Sequence, residues 1–390
     1  RNSIIVNVPL GRAECRFEDW TELDRKKRFR LDDRAVHGQI YDLLGFGGLS
    51  IEIVEYVFEL LDESEIDRVK LFQRLHTFYE RWCEGEFLDQ APTENLPQKK
   101  FLQLREQDIA DGLKQVDVFT GLNVLIVLFK LHAAAQPESY PNVSDDETRT
   151  NIWFHPCGAP STKQFRSGKL LKIIHYADAL GTSTFTRIVG LHLFKANLSG
   201  ANLNSVNLNT ANLSGANLNS VNLNTANLLG ANLDGVNLNK ANLLGANLIA
   251  ANLSSANLNN ANLIDANLNS AKLINANLID AKLINAKLIN AKLAQADLFG
   301  ANLSNTILVK TQLSEAQNLN IQQLEGENPP LICAALPSDL EAYQNRDRNR
   351  SLAFLIERYP EIINSLEEAE KYINLEEAEK YINENHPPRT

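Results

Sequence analysis

Residues 196–240 read ANLSG ANLNS VNLNT ANLSG ANLNS VNLNT ANLLG ANLDG VNLNK, and the pattern continues in register to about Glu315. Every fifth residue from Leu198 to Leu313 is leucine, and the residue two before it is Ala or Val. Only Thr306 and Thr311 depart from that small-residue rule. Two weaker units, 186–190 and 191–195, keep the same register. A five-residue repeat therefore dominates the middle of the chain.

A period of five fits neither an α-helix, at 3.6 residues per turn, nor a continuous strand, at two. It fits a short extended step followed by a corner. In the extended step the Ala and the Leu point the same way, into a core. The next two residues are often Ser-Gly or Ile-Asn, which suit a turn with positive φ. The Asn before each Leu faces outward, where stacked amides could form ladders.

The A(N/K)Lxx run resembles the pentapeptide-repeat family, and the resemblance covers about residues 186–315. It implies a right-handed quadrilateral β-helix with four repeats per coil, and thus a rod about 30 Å long at about 4.8 Å per coil. Together with its flanks this gives an α+β multidomain chain. We expect an all-α domain at 1–185, the repeat solenoid at 186–315 and a short helical tail at 316–390.

The N-terminal flank has apolar residues at helical spacing over 51–61, 66–83, 118–131 and 170–180. Its strings FYERWCEGEFLD, TGLNVLIVLFKLH and HPCG resemble a segment that precedes the repeats in cyanobacterial multidomain pentapeptide-repeat proteins. Some of those proteins carry a signalling-type NTPase domain further upstream. In the tail, LEEAEKYIN occurs at 366–374 and again at 375–383, and a straight helix would place the two copies on nearly opposite sides. The pattern therefore predicts either a helix that contacts two surfaces or a break near Asn374.

Composition and charge exclude several functional classes. The net charge is −10, the repeats at 196–315 hold 6 basic and 5 acidic residues, and no basic block indicates nucleic-acid binding. The longest apolar run, Val124 to Phe129, is too short to span a membrane. The four cysteines lack metal or disulfide spacing, and no signal-peptide pattern opens the chain. We expect a cytoplasmic protein without a metal or cofactor.

Candidate chemistry is sparse. His155 and Cys157 share a Pro/Gly loop and could form a nucleophile pair, but no third group is identifiable, so a structured surface loop is the favoured interpretation. Gly45–Gly48 and Ser167–Leu170 lack the residues of a phosphate-binding loop. Trp20, Trp82 and Trp153 are interpreted as core anchors. The sequence therefore predicts no catalytic residue.

The favoured function is a non-enzymatic protein–protein interaction scaffold or regulatory arm. The first alternative comes from the resemblance, since some pentapeptide-repeat proteins imitate duplex DNA and bind gyrase. That role needs a strongly negative rod, and these repeats are nearly neutral. A second alternative is an enzyme or an NTPase-associated signalling component acting through the α-domain. The expected partner is a protein, a second copy of this chain being one candidate, rather than nucleic acid or a membrane.

One stretch of the rod is the candidate contact surface. Positions directly after the central Leu are mostly Ser or Asn early in the repeats and later become apolar. Residues 20 apart should stack, which places several of these side chains in two neighbouring rows. Such a stripe is larger than a soluble monomer usually exposes. Its members are Leu229, Leu244, Ile249, Ile264, Ile284 and Ile289.

Overall fold

The computed structural model describes residues 17–64, 66–88, 95–107, 112–136, 151–325, 330–335 and 340. The chain divides into two compact units. The first comprises Arg1–Asn202 with Ala211–Asn217, and the second comprises Leu203–Thr210 with Leu218–Thr390. The first unit is mainly helical and includes the earliest repeats. The second contains most of the repeat region.

Four helices of the first unit begin directly after a polar capping residue. In each, the Asp, Ser or Asn side chain at the N-cap accepts a hydrogen bond from the N–H three residues on, which satisfies a donor that the helix cannot. The caps are Asp32, Ser50, Asp67 and Asn95. The helices are α1 (Asp33–Leu44), α2 (Ile51–Glu63), α3 (Arg68–Cys83) and α4 (Leu96–Glu106).

Helix α5 (Leu113–Ala134) is the core of the helical unit. It packs against α1, α3 and α4 and against a short later helix. Its length and apolar composition alone would allow it to cross a membrane, but 89% of its most apolar 18-residue window is buried. A helix that is apolar all round and enclosed by other helices is typical of a protein core.

The helical unit ends with α6 (Lys169–Asp178), α7 (Thr184–Val189) and a 3₁₀ turn at Gly190–His192. Residues 186–190 are therefore helical, although their sequence keeps the repeat register. Ile188, the residue at the central position of that unit, is buried all the same. A buried apolar residue at this position is compatible with a helix and with a repeat, so the apolar pattern does not distinguish the two structures.

The repeats stack with a period of 20 residues, which is four pentapeptides. Parallel pairs join residues 20 apart, from Asn222↔Asn242 through Lys272↔Lys292 to Asp297↔Gln317. The central leucines and the small residues two positions before them are buried throughout. Each coil therefore contributes leucines to one continuous apolar core, as predicted.

Every main-chain N–H of a typical pentapeptide is hydrogen bonded. In residues 256–260 three N–H groups donate to other coils, one closes the turn from the preceding repeat, and one donates to the Asn side chain of its own repeat. The acceptors, in chain order, are the carbonyl oxygens of Leu253, Val236 and Asn277, the Oδ1 of Asn257, and the carbonyl oxygen of Ile279. The repeat thus leaves no buried donor unpaired.

The corner between repeats requires positive φ at the fifth position. Gly235 has φ +60°, and a side chain there would meet nothing within 4 Å. Asn260 and Asn275 adopt the same conformation, as do less suited residues such as Thr225 and Ala250. The predicted turn with positive φ is therefore present, and the stacking also imposes it on residues that disfavour it.

The last coil ends differently from the predicted helical tail. Strand β1 (Ile307–Gln312) pairs in parallel with strand β2 (Leu331–Ala335), and the four-residue helix α8 (Ile321–Leu324) lies between them in the chain. The Thr306 hydroxyl, at a position that is Ala or Val in earlier repeats, donates to the Leu283 carbonyl. The tandem LEEAEKYIN copies lie outside the described residues.

Replacing Leu258 with Ala should cost about 2–5 kcal/mol in the free energy of unfolding, because Leu258 is fully buried in the leucine core. Asn257→Asp is the control, since a carboxylate still accepts the N–H of Asn259. Chemical denaturation of both variants measures the difference. Equal stability of the two variants would contradict the assignment of Leu258 to the core.

Replacing Gly235 with Val should cost about 1–2 kcal/mol, because a β-branched residue resists positive φ. Crowding cannot cause the loss, since the site is open. Gly235→Asn should cost much less, because Asn tolerates this conformation. Thermal unfolding of the two variants separates the explanations, and a Val variant as stable as the Asn variant would refute the strain argument.

Candidate functional site

The predicted contact residues lie at the fourth position of their repeats, and the 20-residue period sorts them into two rows. We call Leu244, Ile264 and Ile284 the first apolar ladder. The Gly245 N–H donates to the Ile264 carbonyl at 2.8 Å, and the Asp265 N–H donates to the Ile284 carbonyl at 2.9 Å. The three side chains therefore follow one another at successive coils, as the sequence predicted.

The second apolar ladder consists of Leu229, Ile249 and Ile289. The Gly230 N–H donates to the Ile249 carbonyl at 2.9 Å, which fixes the first step. Asn269 interrupts the row between Ile249 and Ile289, and its Oδ1 accepts the N–H of Ile289 at 3.0 Å. The second ladder is thus two apolar pieces joined by an amide.

The ladder side chains are less exposed than an isolated surface residue would be. Leu229 is 37% exposed, whereas the other five members are half-buried. The sequence located the rows, but it could not show how far stacking covers them.

A row of amides separates the two apolar ladders. In the repeat between Leu244 and Ile249, the side chains of Ala246 and Leu248 point inward. Asn247 is therefore the outward side chain between the two apolar ladders. Asn247 Nδ2 donates to Asn227 Oδ1 at 3.1 Å, and Asn227 Nδ2 donates to Asn207 Oδ1 at 3.1 Å. We call this row, Asn207, Asn227, Asn247 and Asn267, the asparagine ladder. With the two apolar ladders it forms the repeat face.

The predicted amide ladders are confirmed, and they have a second role. The Oδ1 of the position-two Asn also accepts the N–H two residues on, as Asn247 does from Ile249 at 3.3 Å and Asn262 does from Ile264 at 3.4 Å. One amide therefore holds both its neighbour in the next coil and the backbone of its own corner. This fixes the apolar residue that follows.

The loop with His155 and Cys157 pairs with the first repeats of its own unit. The His155 Nδ1 accepts the Cys157 N–H at 3.0 Å, so the proton lies on Nε2, which donates to the Ser199 carbonyl at 2.9 Å. The Asn202 N–H donates to the Ser167 carbonyl at 2.8 Å. In later repeats the acceptor for the equivalent N–H is a carbonyl of the preceding coil. We call residues 152–168 the cap loop.

Electrostatics in the cap loop favour the uncharged forms of both groups. Burial lowers the pKa of the His155 imidazole and raises the pKa of the Cys157 thiol. A nucleophilic pair needs the thiolate, which this site disfavours. Both ring nitrogens of His155 are also occupied by structural bonds. The geometry therefore fits a structured loop, but the expectation of a surface position was wrong, because His155 and Cys157 are both buried.

Of the two glycine-containing segments that lack phosphate-loop residues, Gly45–Gly48 is a turn after α1 and Ser167–Leu170 is a turn that leads into α6. Gly45 follows α1, and its N–H donates to the Tyr41 carbonyl at 2.9 Å. The Gly47 carbonyl accepts a hydrogen bond from Asn123 Nδ2 at 2.7 Å, and the Ser167 carbonyl accepts one from the Asn202 N–H.

Trp20 and Trp82 are buried as expected, but Trp153 is 40% exposed and stacks on His155. The expectation of a core role for Trp153 was wrong.

Helix α5 contains a buried carboxylate, that of Asp117, which was not predicted. Asp117 accepts hydrogen bonds from Tyr41 at 2.6 Å, from Tyr176 at 2.9 Å and from the Trp82 indole at 3.2 Å. Burial raises its pKa, and the three donors oppose that effect. Charged residues are almost never buried without such partners, so an Asp inside an apolar helical stretch was the available signal.

The described residues contain no group of three or more His, Cys, Asp or Glu placed to hold a metal ion.

Residues 192–230, 226–263, 261–298 and 296–317 match the model for pentapeptide repeats, with 8 copies. The chain belongs to the pentapeptide-repeat family. HetL from the cyanobacterium Nostoc, a pentapeptide-repeat protein involved in regulating heterocyst differentiation, is 30% identical over 36% of this chain and 77% of HetL, with a TM-score of 0.17. No curated protein matches the chain.

Two further solved structures are similar to the pentapeptide-repeat region. Rfr23 from the cyanobacterium Cyanothece is 25% identical over 38% of this chain and 87% of its own, with a TM-score of 0.16. QnrB1, a plasmid-mediated fluoroquinolone resistance protein, is 18% identical over 38% and 83%, with a TM-score of 0.24. Each match covers little more than a third of this chain.

Mild acid should weaken the cap loop. Because the pKa of folded His155 lies below its unfolded value of about 6.5, the unfolded state binds more protons at lower pH. Stability is then complete above about pH 6.5 and declines as the pH falls below it. His155→Gln should flatten this decline, whereas the same change at exposed His175 should keep the wild-type profile. Chemical unfolding at pH 7 and pH 5 tests this, and parallel profiles for all three proteins would contradict it.

Proposed function

We propose that this chain is a cytoplasmic, non-enzymatic scaffold or regulatory arm that binds another protein through the repeat face. We further infer that its coils form a right-handed quadrilateral β-helix. Four pentapeptides per period and a turn at every corner support that geometry. The family is generally non-catalytic, which agrees with a binding role.

The observation that carries the proposal is the regularity of the repeat face. Two apolar ladders flank an amide ladder, and the backbone that carries them is held by hydrogen bonds between coils at each step of the first ladder. Such a surface loses little conformational freedom on binding, so apolar contacts would convert efficiently into affinity. An apolar surface with polar groups inside it is typical of a protein interface rather than of a small-molecule site.

Gyrase inhibition by DNA mimicry is the first alternative, and charge argues against it. The repeats hold nearly equal numbers of acidic and basic residues, and Lys272, Lys282, Lys287 and Lys292 project outward. A mimic of DNA needs a continuous negative surface. Stoichiometric inhibition in a supercoiling assay would overturn the scaffold proposal in favour of this alternative.

The second alternative is an enzyme or NTPase-associated component that acts through the helical unit. His155 and Cys157 are buried and occupied by structural bonds, which gives this alternative no support in the cap loop. A thiol-reactive probe that modified Cys157 faster than Cys83 would favour it. We therefore retain the scaffold as the proposed function.

Replacing Ile264 and Ile284 with Lys together should abolish partner binding, because two charges then interrupt the first apolar ladder. The measurement is capture from an extract of the cells that make the protein, followed by titration of each purified partner. We expect at least a tenfold weaker affinity in the double variant. Light scattering of the same proteins shows whether the partner is a second copy.

The matched control replaces Asn239 and Asn259 with Lys. These residues occupy the same repeat position, are also half-buried, and follow one another in a different row. Partner binding should survive in the control. If the same partners bound both variants equally, the repeat face would not be the binding surface and the proposal would fail.

A further inference from the structure

Four lysines stand out in the later repeats. Lys272, Lys282, Lys287 and Lys292 occupy the second position of their repeats, where almost every earlier repeat has Asn. All four are exposed. None forms an ion pair with any residue that the structure describes. We call these four residues the lysine belt.

The lysine belt gives up interactions that the asparagines provide. Lysine has no acceptor atom, so it cannot bind the corner N–H that Asn Oδ1 holds elsewhere. It also ends the amide ladders. Lys272 and Lys292 are paired directly, which places the backbones of two like-charged residues about 4.8 Å apart in neighbouring coils. These costs indicate that the lysine belt serves a negatively charged ligand rather than the fold.

The chain itself carries a segment of complementary charge. Residues 366–384 contain seven Glu and two Lys, a net charge of −5, whereas residues 271–295 contain four Lys and one Asp, a net charge of +3. The segment lies outside the described residues. Its sequence also repeats Leu, Ala and Ile at helical spacing, which would give it apolar contacts beside the charges.

The pairing of the last strands brings the tail close to the lysine belt. Lys292 pairs with Gln312, and Gln312 pairs with Ala335 at the end of β2. Two strand spacings, or roughly 10 Å, therefore separate Ala335 from Lys292. Leu340 is buried, and a flexible chain with the length of residues 341–365, which is 25 residues, spans roughly 28 Å. Such a tether gives an effective concentration on the order of millimolar.

We propose that residues 366–384 dock on the lysine belt of the same chain. Lys282, Lys287 and Lys292 follow one another a quarter of a coil apart, so the segment lies along the row of Lys287, where its carboxylates contact Lys287 and, from the flanking rows, Lys282 and Lys292. Its apolar residues pack on Ile284 and Ile289, which lie between those lysines along the chain. The docked segment thereby covers one end of the repeat face and competes with any protein bound there. The contact does not depend on the scaffold role, because it needs only this chain.

The test replaces all four belt lysines with Asn in the full chain. Asn is the residue that the position carries elsewhere, so the coils should remain folded. Hydrogen exchange of residues 366–384 should then become at least tenfold faster, while exchange in the repeats stays the same. In the wild-type chain, carbodiimide should cross-link belt lysines to glutamates of the segment in proportions independent of protein concentration.

Lys240→Asn is the control, since it removes a lysine from a corner of a coil outside the lysine belt and should leave exchange of the segment unchanged. If the fourfold variant loses protection throughout the repeats, the test is made instead on the wild-type chain at high salt. Salt screens the charges, so exchange should become faster in residues 366–384 only. Equal exchange of 366–384 with and without the belt lysines or salt would overturn the proposal. Cross-links found only between isotopically labelled and unlabelled chains would overturn it too, and would identify a second copy as the occupant.

Discussion

The pairing of backbone N–H groups within and between coils is the constraint on which the repeat region depends. A pentapeptide that turns a corner every five residues cannot satisfy its donors as a helix or a sheet does. Leu258 and Asn260 donate in one direction along the stack, and Asn257 donates in the other. The remaining exposed donor, on Asn259, is satisfied by the Asn257 side chain. The second-position Asn is thus part of the backbone bonding.

This dependence explains why the surface of the repeats is so regular. A side chain at the fourth position follows a backbone held at both sides, so Leu244, Ile264 and Ile284 repeat with the spacing of the coils. The same dependence shows what the repeats lose at the lysine belt. Where Lys replaces Asn, the repeat loses its own side-chain acceptor for the corner N–H and the surface gains a charge, although Asn269 of another coil supplies the acceptor for the Ile289 N–H. The docking proposed for residues 366–384 would offset that loss.

The first repeats have no preceding coil to accept their main-chain N–H groups. A solenoid needs an end that supplies the bonds of a missing coil. Ser167 and Gly190, both from the helical unit, accept the N–H groups of Asn202 and Asn212. The cap loop is itself held by buried His155 and by Tyr79, whose hydroxyl donates to the Pro156 carbonyl at 2.8 Å. At the other end β2 pairs with β1, so the last coil is also covered.

The repeat period, the buried leucines, the amide ladders and the two apolar rows followed from sequence alone, because each depends on neighbours at a fixed chain spacing. The helical nature of 186–190, the strand at Leu331–Ala335 and the exposure of Trp153 did not, because they depend on contacts between residues far apart in the chain. Asp117 is the clearest case. Its three donors come from α1, α3 and α6, and Gly121 beside it leaves room for Trp82, whose ring would lie 2.0 Å from an added Cβ. Only the tertiary structure brings these groups together, since no local pattern encodes which helices meet.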